Sequence, residues 1–175
     1  GAPSLTQIDP HLITPRLVAV GDGGGVVALE SDTGRLAWVL TYSDSCGQVA
    51  VFNAEQLVVM CLLAAAAKLM LLFVGATNGT ILATLDIGVD ERLRRRIAPL
   101  VISASSVVIA TENSTSLVRH VPPRAPTVEW SFPGCGNFTP QRASVIWVVW
   151  SCAMKTTTTM STMTTRRVVA VNLSR

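Results

Sequence analysis

A hydrophobic strand, a turn rich in Gly or Asn, and a second hydrophobic strand recur along this chain, and no other feature restricts its fold so strongly. The unit reads clearly at Leu17–Ala28, again at Leu71–Ala83, and more loosely at Val107–Val118. A supersecondary unit that returns every few tens of residues implies a repeat architecture, in which each copy buries its apolar face against the next. Asp22-Gly23-Gly24-Gly25 and Thr77-Asn78-Gly79 supply the positive-φ positions that tight hairpins need, and Asp32-Thr33-Gly34 makes a third turn. β-branched apolar runs ended by Gly, Asn, Asp or Ser predict strands at 17–20, 26–29, 36–40, 49–52, 57–61, 69–74, 81–85, 100–103, 107–110, 116–120, 128–132, 145–150 and 168–171. Long helical periodicity is absent, so the class is all-β.

Anchoring each unit on the strand after its turn places Ala28, Ala83, Val118 and Ala170 in correspondence. The uneven intervals scatter around the roughly 40 to 50 residues of a four-stranded propeller blade. The expected architecture is a partial β-propeller of three to four antiparallel blades in one repeat domain over residues 1–175. Its approximate units are 15–52, 53–98, 99–133 and a truncated 134–175. Residues 155–165 are mostly Thr, and such a run is expected to form a flexible loop because it buries little apolar surface.

Leu57–Ala76 has the length of a bilayer-spanning helix with Lys68 as its only charge. A mid-segment lysine costs roughly 3 kcal/mol on insertion scales, and the second half matches the repeat. The segment therefore reads as two buried strands joined around Ala64–Lys68, with no membrane contact expected. Charge excludes little else. The net value is +3, and the basic cluster Arg92, Arg94, Arg95 and Arg96 follows Asp86, Asp90 and Glu91, so no nucleic-acid footprint is expected.

Asparagine and cysteine point to a compartment. Four of the five asparagines, Asn78, Asn113, Asn137 and Asn172, stand in Asn-x-Ser/Thr triplets, the N-glycosylation acceptor pattern. Pro140 after Thr139 weakens the third. Cys46, Cys61, Cys135 and Cys152 allow two disulfides in any of three connectivities, with buried free thiols at Cys61 and Cys152 as the alternative. Together these predict the secretory pathway, either the endoplasmic-reticulum lumen or the exterior. No signal-peptide pattern opens the chain.

Catalytic constellations are missing from the pattern. His11 and His120 stand apart from Cys and carboxylates at ligand spacing and read as surface or edge-strand residues. Gly21–Gly25 lacks the Gly-Lys-Ser/Thr of a phosphate loop. Trp147 and Trp150, three apart on a strand, face opposite sides. Catalytic, cofactor and metal residues are all expected to be none.

The stretch from Ala28 to Trp38 resembles the blade signature of the quinoprotein-like, PQQ-type β-propeller repeats, Ala-x-Asp-x-x-Thr-Gly-x-x-x-Trp. Ala28, Thr33, Gly34 and Trp38 match in register, with Glu30 in place of the Asp. The resemblance implies that Trp38 lies flat between neighbouring blades. Trp130 would do the same in the third unit, where Pro122–Pro126 replace the Thr-Gly turn, and Ala170–Arg175 would begin a fourth signature. Rings of that family carry seven or eight blades, so this chain would be a fragment, or be completed by self-association or by a partner chain. The family includes non-enzymatic scaffolds and lumenal sensor domains, so the resemblance implies a protein–protein interaction module. The alternative is a fragment of a PQQ-dependent dehydrogenase. That activity would need a calcium site of six or more converging oxygens, and the dispersed acidic residues offer no such run.

Overall fold

A computed structural model describes residues 4–7, 16–20, 25–42, 45–63, 68–89, 99–110, 114–133, 138–143, 147–157 and 162–172. Every regular element among them is a strand. The first sheet runs β1 (Ser4–Gln7), β2 (Arg16–Val20), β3 (Gly25–Glu30), β4 (Leu36–Thr41), and the second β5 (Ser45–Val51), β6 (Gln56–Leu63), β7 (Lys68–Gly75), β8 (Ile81–Val89). The third runs β9 (Leu100–Ser103), β10 (Ser106–Ala110), β11 (Ser114–Arg119), β12 (Thr127–Pro133), and the fourth β13 (Phe138–Ala143), β14 (Trp147–Thr157), β15 (Thr162–Asn172). Within each sheet, strands pair antiparallel with their sequence neighbours. Each sheet is thus a local meander, the pattern that short Gly- and Asn-bearing turns favour.

The second sheet is covered on both faces. Leu57, Val59, Cys61, Leu72 and Val74 pack with Val26, Ala28 and Trp38 of the first sheet. Their alternates Val58, Met60, Leu69, Leu71 and Phe73 pack with Val107, Ile109 and Val118 of the third. A strand buried on both faces has no polar side to show, so β6 and β7 read as one continuous apolar run. That accounts for the membrane-like hydropathy of Leu57–Ala76, which forms two strands. No helix among the described residues is long and apolar enough to cross a membrane.

Several expectations need correction. The unit boundaries 15–52 and 53–98 cut across sheets: Ser4–Gln7 begins the first, and Ser45–Val51 belongs to the second. The unit 134–175 corresponds to a sheet of three strands among the described residues, opening with β13, which the strand pattern missed. Pro140 disguises that strand. Proline is tolerated there because β13 ends the sheet and its pairing is irregular between Pro140 and Arg142. Residues 155–157 and 162–165 are paired strand, with Lys155 opposite Thr164 and Thr157 opposite Thr162. Threonine is β-branched and suits a pleated ribbon whose order comes from backbone pairing. Only 158–161 of the Thr-rich run lie outside the described residues.

The repeat register also differs. Glu30 N–H donates to Arg35 O (2.9 Å) and Gly34 N–H to Glu30 O (2.8 Å); Gly75 N–H donates to Thr80 O (2.8 Å) and Gly79 N–H to Gly75 O (2.9 Å). The 30–35 turn therefore corresponds to the 75–80 turn. Leu71–Ala83 matches β3 and β4, rather than the hairpin at Leu17–Ala28. A bulge follows Ala28, Phe73 and Leu117 alike, which sets Trp38, Ala83 and Trp130 in equivalent places on β4, β8 and β12.

Candidate interaction surface

The turns at 31–35, 53–55, 76–80, 104–105 and 120–126 carry most of the side chains with unusual environments. The 30–34 turn organises itself: Thr33 Oγ1 donates to Glu30 Oε2 (2.8 Å) and accepts from Arg35 N–H (3.2 Å). Gly34 takes φ +66°, the left-handed region open to a residue without Cβ. The chain then enters β4 and delivers Trp38 to the second sheet. Its indole N–H donates to the carbonyl of Ala76 (3.0 Å), and the ring lies against Gly79. Ala76 in turn donates its N–H to Glu55 O (2.8 Å), so one outer strand and two turns of the next sheet are tied together. Trp38 is buried. An indole with its face packed and its N–H satisfied contributes both area and direction to such a contact.

The seam between the second and third sheets is built differently. Where β4 carries Trp38 opposite Ala28, β8 carries Ala83 opposite Phe73. The large ring has moved one strand inward. Phe73 meets His120 at a tilt of 43° with ring centroids 4.3 Å apart, and Phe52 packs edge-on against Phe73 at 5.0 Å. His120 N–H donates to Ser105 O (2.8 Å), as Ala76 N–H donates to Glu55 O, so His120 holds the place of Ala76. Asn53 Nδ2 adds a bond to Ala104 O at 3.4 Å.

His120 was not recognisable as a seam residue. It is 4% exposed, and neither ring nitrogen completes a hydrogen bond among the described residues. Burial holds its pKa below 6.5; the backbone of Arg124 offsets part of this without completing a bond of normal geometry. Only knowledge that Ala83 leaves a gap could have revealed it.

Cys46 and Cys61 face each other across β5 and β6 and form a disulfide inside the core shared with the first sheet. Cys135 lies outside the described residues. Cys152 is placed on β14 opposite Phe138. Trp130 stands half-buried on β12 opposite Leu117. Of the acceptor triplets, Asn78 is exposed in the 76–80 turn, and Asn172 ends β15 opposite Trp147. Asn113 and Asn137 lie outside the described residues, as do His11 and the arginines at 92–96.

Apolar side chains remain on the outer strands and beside the last turn: Leu36 and Val39 on β4, Ile81 and Leu82 on β8, Val128 on β12 and Val121 before it. Among the described residues, cross-strand ion pairs join Lys68 Nζ to Asp86 Oδ2 and Arg119 Nε to Glu129 Oε1, each at 2.8 Å. The Lys68 bond, with Gly88 N–H on the other oxygen, draws the Asp86 carboxyl below its usual value. Among the described residues, no group of three His, Cys, Asp or Glu side chains could hold a metal ion.

No protein-family model matches the chain, and no curated protein matches it. Among solved structures it is similar to BamB from Moraxella catarrhalis, with a TM-score of 0.62 and 14% identity over 83% of this chain and 47% of that one. It is also similar to the β-propeller domain of Myceliophteria thermophila Cps50 (Swd1), with a TM-score of 0.39 and 10% identity over 88% of this chain and 68% of that one. The chain thus spans about half the length of the BamB chain it matches. Its consecutive antiparallel meanders and this likeness define the fold as a partial β-propeller.

Proposed function

We propose that this chain is a non-enzymatic protein–protein interaction module, a lumenal or extracellular propeller portion of the quinoprotein-like repeat type. The observation that carries the reading is the Trp38 seam: Ala76 and Gly79 of the next sheet receive the indole, which supports the inter-blade part that the resemblance implies for Trp38. Trp130, equivalent in position to Trp38, is assigned the same part toward the fourth sheet. The buried Cys46–Cys61 disulfide supports an oxidising compartment, where such bridges persist. Exposed Leu36 and Val39 on β4 and Ile81 and Leu82 on β8 support contact with other proteins, because each of these strands is the last of its sheet and carries apolar side chains to the surface. Further sheets, from the rest of a longer protein, a second copy or another chain, would complete the ring.

Sedimentation of the 175-residue chain, alone and with its co-purifying protein, tests this. A species above 18.6 kDa that reverts to monomer on Leu36→Asp with Val39→Asp is expected. A well-folded 18.6 kDa monomer under both conditions overturns the association. Stoichiometric binding of PQQ with calcium overturns the non-enzymatic assignment.

A further inference from the structure

We propose that Asn78 is a glycan acceptor and that the 76–80 turn is built to carry the sugar in the folded state. The inference rests on the secretory reading above. Asn78 and Thr80 are both exposed, and two backbone bonds close the turn around them, Gly75 N–H to Thr80 O and Gly79 N–H to Gly75 O.

Asn78 engages this turn only through its oxygen. Oδ1 accepts from Thr80 N–H (3.1 Å) and from the Thr80 hydroxyl (2.8 Å), while Nδ2 has no partner among the described residues. The oxygen tucks in because position 75 is glycine: a Cβ there would fall 2.7 Å from Asn78 Oδ1. The first sheet shows that this turn does not require an amide. At the position equivalent to Asn78, the Thr33 hydroxyl accepts from Arg35 N–H, and Glu30 stands where the second sheet has Gly75. The amide nitrogen of Asn78 is therefore surplus to the fold.

Glycosylation uses that nitrogen. A lipid-linked oligosaccharide diphosphate is the donor: its anomeric carbon–oxygen bond breaks, and a bond from that carbon to Nδ2 forms. One amide proton passes to base, and the lipid diphosphate departs. Oδ1 remains a carbonyl oxygen, so both bonds from Thr80 survive in the product. Trp38 packs against Gly79, the next residue, so the sugar stands at a fixed point beside the seam. Asn172 by contrast is a paired strand residue opposite Trp147.

The test is peptide mass spectrometry of the full chain isolated from its own cells, with and without a glycosidase that converts a glycosylated asparagine to aspartate. The Cys46–Cys61 bridge is mapped in the same digest. The expected result is conversion at Asn78, retained in Thr80→Ser and lost in Thr80→Ala. In Asn78→Asp, which keeps the accepting oxygen, one glycan increment disappears while the bridge stays intact. An unmodified Asn78 with the bridge formed overturns this inference and leaves the compartment reading standing. An unmodified Asn78 with reduced cysteines overturns both.

Discussion

Trp38 occupies the space above Gly79 so completely that a Cβ at position 79 would fall 2.5 Å from its Cε3 and 2.7 Å from its Cδ2. The two residues lie in different sheets, and this contact makes the first seam directional. The same glycine takes φ +71°. Substitution to Ala therefore incurs about 1–2 kcal/mol for left-handed backbone and about 1–3 kcal/mol for overpacking. Gly34, at φ +66° with nothing within 4 Å, incurs only the first. Denaturant unfolding should show Gly79→Ala about 2 kcal/mol worse than Gly34→Ala; equal losses would mean that the ring yields freely.

The two seams carry their aromatics on different strands, and truncation should expose the swap. Trp38→Phe removes the indole N–H that donates to the Ala76 carbonyl and should cost about 1–3 kcal/mol. Phe73→Ala should cost about 3–5 kcal/mol, because the ring is fully buried and Ala83 opposite it is too small to fill the cavity. Calorimetric or denaturant midpoints of both variants measure this. A negligible effect of Phe73→Ala would place the second seam elsewhere.

The Cys46–Cys61 bridge closes a loop with a sequence separation of 15. Replacing both residues by Ala, or reducing the protein, should lower stability by about 3 kcal/mol. Parallel unfolding curves with and without reductant give the value. Insensitivity to reductant at full reduction would deny the bridge a stabilising role.

His120 makes the second seam sensitive to acid. Burial depresses its folded-state pKa, so below its usual 6.5 the unfolded chain binds a proton that the folded chain resists. Stability should be full above that pH and fall as pH drops through it, levelling off at the lower folded value. His120→Leu should flatten this slope. It should also be neutral or stabilising by about 1 kcal/mol at pH 7, because two unpartnered buried nitrogens are removed. Unfolding midpoints at neutral and mildly acidic pH, compared between the two proteins, decide it.

Strand and turn identity were legible because they are local. Alternating or continuous β-branched runs and Gly- or Asn-bearing turns specify hairpins within a few residues. Strand β13 escaped because Pro140 is a poor strand residue except where pairing is irregular. The unit boundaries slipped because the hairpins at Leu17–Ala28 and Leu71–Ala83 share a hydrophobic pattern while occupying different places in their sheets. Sheet order, the bulges after Ala28 and Phe73, and the matching hydrogen bonds of the 30–35 and 75–80 turns tell them apart.

The amino-acid order therefore determined an all-β chain of repeated meanders, and its resemblance to a known blade signature drew attention to Trp38. Tertiary structure decided that Ala76 and Gly79 receive Trp38, that Phe73 and His120 replace a tryptophan at the next seam, and that Cys46 bonds Cys61. Hairpins arise from neighbours in sequence. A seam joins residues as distant as Trp38 and Ala76, and what fills it depends on the volumes both sheets leave open.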